Sequence, residues 1–412
     1  MRPSLASYSH WWTRSSGART DSTTGCMARA STGRAGGSMR RTTRGPAPRP
    51  LAIPRPTRFA PRIGATRMSF PSLPHPDDVT GLAARVLQAF TRSSRNTLAD
   101  LDVYRGLPLE TMFPAPHRVP DARVTTRWRL PGIVSEDIVF TSLHQPIEPQ
   151  FAARYREKYG SVDVVYARRI RPSAAPPRPR PRLLYLHGYM QPETHLEELS
   201  LLVGMAWLLD MEIVQLQPPY HGRRTPSRAL YGGELYWTAD IVRSIEALRQ
   251  TLLDARTLLG VLLEEDPRPV GISGISLGGA LSAALTCLEP RFAFSAPLIA
   301  HMDLAAMLRD APVLETMRRE LAGFGWDVGA FRRFVGDIGW YDLAPVIPVE
   351  RIRLYAASED LFFAPELVEE MRRNWGNPAI RWYPCSHMGF IPRLPLVLGE
   401  IRRFTDRLPD RA

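Results

Sequence analysis

The spacing of apolar residues changes near residue 77 of this 412-residue chain. Residues 1–70 are rich in Arg, Ser, Thr, Gly and Pro and show little apolar periodicity. We expect a disordered tail there, because such a segment cannot bury enough surface to offset the entropy lost on ordering. From Asp77 onward, short apolar runs alternate with longer stretches of helical spacing. This alternation predicts an α/β protein with a mostly parallel central sheet and helices on both faces.

The predicted strands are apolar runs that end in turn residues, and the predicted helices are longer segments with an apolar stripe. The first two strands precede the regular alternation, so we expect them to be antiparallel strands at the sheet edge. Strands are predicted at Ile138–Leu143, Val162–Ile170, Leu183–Leu186, Glu212–Gln217, a run ending at Ile275, Phe292–Ile299, Ile352–Ala357 and Ile380–Tyr383. Helices are predicted at Val79–Phe90, Phe151–Lys158, Thr194–Leu209, Trp237–Leu263, a run after Ser276, Pro365–Trp375 and Leu396–Phe404.

Residues 71–408 are expected to form one domain, with a helical N-terminal extension over residues 77–130. Residues 301–349 lie between two late strands and are expected to be mostly helical. Their aromatic residues could line a hydrophobic pocket or could equally form the packing face of the helices. These residues are Phe324, Trp326, Phe331, Phe334, Trp340 and Tyr341.

The formal net charge of +12 belongs to the tail. Residues 1–70 contain 13 Arg and a single acidic residue, Asp21, whereas acidic and basic residues balance in the rest of the chain. The charge therefore gives no reason to expect that the domain binds nucleic acid. The tail has the composition of a transit peptide, but we prefer the interpretation that translation starts at Met68.

Other features of the composition narrow the class of protein. No apolar run reaches the roughly 18 residues of a membrane span, and three cysteines do not make a disulfide framework. Lys158 is the only lysine among 53 basic residues, which favours a GC-rich bacterial genome. We find no H-E-x-x-H, paired C-x-x-C, P-loop or dinucleotide fingerprint, so no metal and no cofactor are expected. We expect a cytoplasmic protein without a transmembrane segment.

The segment Gly274-Ile275-Ser276-Leu277-Gly278 joins an apolar run to a segment rich in small residues and leucine. A G-x-S-x-G pattern between a strand and a helix is typical of a nucleophile elbow, with the serine hydroxyl exposed at a sharp turn. Leu277 would begin the helix, so its N–H is free to donate to a developing oxyanion. The alternative is a glycine-rich turn with an ordinary serine.

The order of motifs resembles the α/β-hydrolase superfamily over roughly residues 130–408. The resemblance depends on a His187-Gly188 turn after one strand, the elbow, an acid after a later strand and a histidine after the last strand. Two shorter segments are similar to the abhydrolase-domain-eighteen-like group: Pro219-Tyr220-His221-Gly222-Arg223-Arg224 and Gly274-Ile275-Ser276-Leu277-Gly278-Gly279.

The resemblance implies a catalytic triad in the chain order serine, acid, histidine. Ser276 would be the nucleophile, His387 the general base, and Asp360 the acid that orients the imidazole. Glu359 is adjacent to Asp360 and remains an alternative. The family's His-Gly turn implies a second oxyanion donor, the N–H of Tyr189, although the full H-G-G-G form is absent. The resemblance also implies that residues 301–349 form a cap.

His221, Arg223 and Arg224 follow a predicted strand, at the edge where open α/β sheets bind ligands. They could contact a carboxylate or phosphate group of the substrate, or they could form an internally satisfied loop network.

We therefore expect a serine hydrolase that cleaves a carboxylic ester of a small-molecule acyl substrate through an acyl-enzyme on Ser276. An acyltransferase would use the same triad and pass the acyl group to another acceptor. A non-catalytic ligand-binding module on the same fold is the second alternative. Labelling of Ser276 by a fluorophosphonate distinguishes the enzymes from the binding module.

Overall fold

The computed structural model describes residues 74–408 except positions 92, 98, 175–179 and 192–196. The predicted disordered tail over residues 1–70 and the predicted start at Met68 lie outside the described residues.

Within the described part of the chain, nine strands form a single sheet, and six of them are parallel. The antiparallel strands lie at one edge, as predicted, and the carboxyl ends of the parallel strands meet at one side of the sheet. The strands are β1 Arg123–Leu130, β2 Ile133–Thr141, β3 Val164–Pro172, β4 Arg182–Leu186, β5 Glu212–Leu216, β6 Val270–Ile275, β7 Ser295–Leu298, β8 Arg353–Ala357 and β9 Ala379–Tyr383. Their order is β1–β2–β3–β5–β4–β6–β7–β8–β9, with antiparallel pairing from β1 to β5 and parallel pairing from β5 to β9.

The α-helices of the described residues precede, connect and follow these strands. They are α1 Pro76–Gln88, α2 Leu109–Met112, α3 Pro149–Lys158, α4 Val203–Leu209, α5 Ile241–Glu265, α6 Leu277–Leu288, α7 Leu304–Asp310, α8 Glu315–Gly323, α9 Val328–Asp337, α10 Pro365–Asn374 and α11 Leu394–Thr405. A π-helical segment, Glu198–Leu202, leads directly into α4. The predicted helix start at Thr194 lies outside the described residues.

The sheet separates two hydrophobic cores. Along β4, Leu184 and Leu186 point into the core shared with α5 and α6, whereas Leu183 and Tyr185 point into the core shared with α4 and α11. Successive side chains of a strand point to opposite faces, so an uninterrupted apolar run is what a strand covered on both faces requires. The predicted arrangement of helices on both faces is confirmed.

Helix α5 is buried on nearly all sides, which differs from the predicted single apolar stripe. It begins at Ile241 rather than Trp237, because Asp240 caps it by accepting a hydrogen bond from the Arg243 N–H at 3.2 Å. Every residue from Ile241 to Leu262 is buried. Charged groups can occupy such a helix only when they are paired. The pairs include Arg249–Glu246, Arg224–Asp254 and Arg256–Glu289.

The prediction of a helical extension over residues 77–130 is wrong for its last part. Residues 123–130 form strand β1, which pairs with β2 across a two-residue connection, Pro131-Gly132. Gly132 has a φ of +83°, a conformation that glycine adopts without strain. Val124, Thr125, Thr126 and Trp128 supply the β-branched and aromatic character that favours a strand.

The aromatic residues of segment 301–349 pack the helices. Trp326, Phe331, Phe334 and Trp340 are buried in the core. The indole N–H of Trp340 donates to the Met302 carbonyl at 2.6 Å. Aliphatic residues of the same segment face the Ser276 hydroxyl, as described below.

Candidate active site

Ser276 is the single residue between β6 and α6, and its backbone is strained. Its φ of +58° and ψ of −119° are rare for a residue with a side chain. The sharp turn brings α6 so close to β4 that a Cβ on Gly274 or Gly278 would collide with the Leu186 carbonyl. The glycines of the predicted elbow are therefore required by close packing, and they leave the serine hydroxyl at the carboxyl end of the strand.

Ser276, His387 and Asp360 form one hydrogen-bonded chain. The Nδ1 atom of His387 lies 2.8 Å from Oδ2 of Asp360, and its Nε2 atom lies 2.9 Å from Oγ of Ser276. A carboxylate can only accept, so Nδ1 carries the proton and Nε2 accepts from the serine hydroxyl. His387 and Asp360 are both buried. The three residues that the sequence singled out are thus in mutual contact.

The second oxygen of Asp360 fixes the carboxylate in place. Oδ1 accepts backbone N–H bonds from Phe362 at 2.7 Å and Phe363 at 2.8 Å. The ring of Phe362 stacks on the imidazole of His387, with 4.5 Å between the ring centroids and 23° between the planes. Glu359, the alternative acid, has an exposed side chain, and its backbone N–H donates to the Cys385 carbonyl. The structure thus brings Asp360, and not Glu359, to the imidazole.

Two backbone N–H groups near Ser276 are free to bind an oxyanion. The N–H groups of Leu277 and Tyr189 donate to no acceptor among the described residues. The turn that carries Tyr189 lies close to the serine, because a Cβ on Gly188 would lie 3.7 Å from Cβ of Ser276. The neighbouring N–H, that of Gly188, is already occupied by Oε1 of Gln191 at 3.1 Å.

Asp77 links the two loops that carry the acid and the histidine, a role that the sequence did not reveal. Its carboxylate is fully buried. It accepts backbone N–H bonds from Leu361 at 3.1 Å, from His387 at 3.0 Å and from Met388 at 3.0 Å. The only sequence signal is a second acidic residue, Asp78, which makes the pair look like ordinary first-turn helix acids.

Two further histidines, His187 and His221, are buried next to the turn that carries Tyr189. The rings of His187 and His221 are 5.0 Å apart, and that of His221 also packs on Tyr236. Burial lowers the pKa of His187 to about 4 and the pKa of His221 well below its usual value. His187 donates from Nδ1 to the Gly188 carbonyl, and His221 donates from Nδ1 to the Pro219 carbonyl. These imidazoles are neutral near pH 7.

Of the two alternatives for His221, Arg223 and Arg224, the structure favours the internally satisfied loop network over contact with a substrate. His221 and Arg224 are completely buried. Arg224 donates to the carbonyls of Val162 and Gln217 and pairs with Asp254 at 2.8 Å. Arg223 pairs with Asp137 at 2.9 Å and lies over the ring of Tyr166. None of the three lines a cavity that contains Ser276. The guanidinium groups that looked available for a ligand instead hold the loop to β2, β3 and α5.

Two cavities of unequal size adjoin Ser276. The small cavity, about 30 Å³, is lined by Trp237, Leu277, Met307, Ala311, Leu314 and Phe363. The large cavity, about 660 Å³, lies among α1, α4 and α11 and contains the imidazole of His387 in its wall. Its other lining residues include Ala84, Leu87, Gly204, Met205 and Leu398. Tyr189, Val313 and Phe362 border both cavities.

The described residues contain neither a candidate metal site nor a candidate membrane span. No group of three or more His, Cys, Asp or Glu side chains there could hold a metal ion. No helix in the same part of the chain is both long and apolar enough to cross a bilayer.

Comparison with known sequences identifies relatives of the central part of the chain. The family model described as alpha/beta hydrolase domain containing 18 matches residues 193–309. Two curated proteins of Mycobacterium tuberculosis, uncharacterized protein MT2702 of strain CDC 1551 / Oshkosh and uncharacterized protein Rv2627c of strain ATCC 25618 / H37Rv, are each 30% identical over 239 residues. The match covers 55% of this chain and 53% of each relative. The chain thus spans about half the length of the curated relatives it matches.

Comparison with solved structures bears on the fold. The acetyl xylan esterase from Paenibacillus sp. R4 superposes with a TM-score of 0.51 at 17% sequence identity, covering 78% of this chain and 98% of the esterase. A similarity at this level of identity shows the fold alone. Together with the sheet order, the strained serine between β6 and α6 and the matched family segment, it shows that this chain has the α/β-hydrolase fold.

Proposed function

We propose that this protein is a serine hydrolase that cleaves carboxylic esters through an acyl-enzyme on Ser276. The observation that carries the proposal is the continuous hydrogen-bonded chain from Oγ of Ser276 through His387 to Asp360, at 2.9 and 2.8 Å. A serine hydroxyl becomes a useful nucleophile when a neighbouring imidazole accepts its proton and a carboxylate stabilises the resulting imidazolium. All three groups are in contact, and Ser276 and His387 line the large cavity.

Each step of the proposed reaction uses a group already described. Oγ of Ser276 attacks the ester carbonyl carbon while its proton passes to Nε2 of His387. The carbonyl oxygen becomes an oxyanion, which the N–H groups of Leu277 and Tyr189 stabilise. The bond to the alcohol oxygen then breaks, and that oxygen takes the electron pair and the proton from His387. Water repeats the sequence on the acyl-enzyme, releasing the acid and restoring the serine hydroxyl.

A fluorophosphonate probe tests the proposal without knowledge of the natural substrate. We expect one equivalent of label on the wild-type protein and none on Ser276→Ala, with the labelled peptide containing residue 276. The same two proteins are assayed with p-nitrophenyl esters, where Ser276→Ala should lose activity. Equal labelling of both proteins, or none in a folded wild-type protein, would show that Ser276 is not an activated nucleophile.

The same assay separates hydrolysis from transfer. If the acyl-enzyme forms without releasing free acid, and an added alcohol or amine is converted to its ester or amide, the protein is an acyltransferase. The exposed large cavity beside His387 favours hydrolysis, because water can reach the acyl-enzyme through it.

A further inference from the structure

We propose that the small cavity takes the acyl group and the large cavity takes the alcohol, so that the preferred substrates are short-chain, acetyl-sized esters of bulky apolar alcohols. This inference rests on the proposed ester hydrolysis at Ser276. It uses two observations that the reaction itself does not require: the unequal size of the two cavities, and the presence of His387 in the wall of only one of them.

The position of His387 decides which half of the ester lies where. The bond that breaks joins the carbonyl carbon to the alcohol oxygen, and that oxygen must receive a proton from the imidazolium as it leaves. The alcohol therefore has to depart on the side of Nε2. His387 lines the large cavity and does not line the small cavity. The acyl group, which stays on Ser276, is left on the opposite side, beside Leu277.

The volume of the small cavity sets the length of the acyl group. One water molecule needs about 10–15 Å³ of such volume, so the available 30 Å³ fits a methyl or ethyl group. The walls do not yield easily, because Trp237, Met307 and Leu314 are themselves buried in the core. Forcing additional methylene groups into a packed core costs about 1–3 kcal/mol. Long acyl chains are therefore excluded from this side.

The lining of the large cavity sets the chemistry of the alcohol. Of the described residues that line it, none is Lys, Arg, Asp or Glu, and most are aliphatic side chains from α1, α4 and α11. A charged or heavily hydroxylated alcohol would lose its hydration there without gaining a charged partner. An apolar alcohol gains about 25 cal/mol for each Å² that it buries. The cavity of about 660 Å³ is large enough for a group much bigger than the acyl side admits.

Two ester series measured on the intact protein test the assignment. In the first series the alcohol is constant, with p-nitrophenyl acetate, butyrate and octanoate, and kcat/KM should fall by at least about tenfold from acetate to butyrate. In the second series the acid is constant, with methyl, butyl and octyl acetate, and kcat/KM should rise with the size of the alcohol. The combination is the signature of a small acyl site opposite a large alcohol site.

Matched variants assign each preference to its cavity. Met307→Ala enlarges the small cavity and should raise the butyrate-to-acetate ratio of kcat/KM at least severalfold. Met371→Ala is the control, because Met371 is equally buried but lines neither cavity, and the ratio should not move. Gly204→Phe fills the large cavity, where a Cβ has no neighbour within 4 Å. It should lower kcat/KM for octyl acetate more than for methyl acetate.

The outcomes separate this inference from the proposed function. Hydrolysis that increases with acyl length and is indifferent to the alcohol would overturn the assignment of the cavities while leaving Ser276 as nucleophile. A Met307→Ala protein that folds and labels but keeps the wild-type ratio would also overturn it. Absence of both ester hydrolysis and fluorophosphonate labelling would remove the proposed function and this inference with it.

Discussion

Two groups of buried histidines differ in their surroundings: His387 is one, and His187 and His221 are the other. His387 donates to the Asp360 carboxylate at 2.8 Å and accepts from Ser276. His187 and His221 donate only to backbone carbonyls, and burial holds the pKa of each below its usual value. Burial alone therefore keeps an imidazole neutral. A carboxylate partner is what allows a buried imidazole to accept a proton from a nucleophile.

Replacing one histidine from each group should give the largest difference in kcat. His387→Ala should lower kcat on p-nitrophenyl acetate by about 10⁴–10⁶-fold, because no other group can take the serine proton. His221→Asn should lower the free energy of unfolding, by about 1–3 kcal/mol, yet lower kcat by less than about tenfold. Steady-state kinetics and urea unfolding measure both quantities. Similar kinetic losses in the two variants would contradict the distinction between the two groups.

Replacing Asp360, whose carboxylate accepts from His387, should cause the next largest loss of kcat. Asp360→Asn keeps the shape of the side chain, but an amide N–H facing Nδ1 stabilises the wrong imidazole tautomer, and we expect kcat to fall by about 10⁴-fold. Glu359→Gln is the matched control, because the Glu359 side chain is exposed, and its kcat should stay within about twofold of wild type. A larger loss for Glu359→Gln than for Asp360→Asn would reverse the assignment of the acid.

Replacing Asp77 tests whether catalysis depends on the positions of the two loops that carry Asp360 and His387. The carboxylate accepts three backbone N–H bonds, and an amide oxygen replaces only part of that capacity. Asp77→Asn should displace His387 and lower kcat by about 10–100-fold with little change in KM. A small displacement of a catalytic group lowers the rate of the chemical step by a factor of this order. Asp78→Asn is the control, because Asp78 is exposed in the same helical turn. If the two variants have the same kcat, Asp77 does not position the histidine.

The neutral histidines should make the folded state sensitive to acid. Burial lowers the pKa of His301 to about 4, against the opposing charges of Asp303 and Asp360, and burial likewise lowers that of His187 to about 4. Between their usual value near 6.5 and pH 4, the unfolded chain binds protons that the folded chain does not. The free energy of unfolding should therefore fall as the pH falls through that window, by at most about 1.4 kcal/mol per pH unit for each group.

Urea unfolding at pH 7, 5.5 and 4.5 measures this smallest effect. His301→Gln removes one of the titrating groups, so its free energy of unfolding should depend less steeply on pH than that of the wild type. A wild-type free energy that is constant from pH 7 to pH 4.5 would be inconsistent with neutral buried imidazoles.

The parts of the site that follow strand ends could be predicted from the sequence. Ser276, Asp360 and His387 each follow a parallel strand, and the carboxyl ends of parallel strands meet at one edge of a sheet. The sequence favours Asp360 as the acid but leaves Glu359 open as an alternative, because the choice depends on which way one loop turns. Asp77 could not be found either, because it lies 310 positions before His387 and binds backbone N–H groups that no side-chain pattern records.

Tertiary contacts also determine which groups the charged side chains bind and whether those side chains are buried. Arg223 and Arg224 look like ligand contacts from their position after β5, yet Arg223 pairs with Asp137 at the surface and Arg224 pairs with Asp254 in the interior. The sequence predicts that helix α5 buries only an apolar stripe, but its charged side chains between Ile241 and Leu262 are buried as well. In both cases the sequence predicts that the residue lies near a sheet edge or on a helix. Whether its side chain is then buried or exposed is evident only from the three-dimensional structure.

Direct detection of the acyl-enzyme tests the central claim. The protein is mixed with p-nitrophenyl acetate, quenched in acid within the first turnover, digested and examined by mass spectrometry. We predict an acetyl group on the peptide that contains Ser276, accumulating in wild type and absent in Ser276→Ala. Turnover of the ester with no acylated peptide at any quench time, or an acetyl group on a different residue with Ser276→Ala still active, would contradict it.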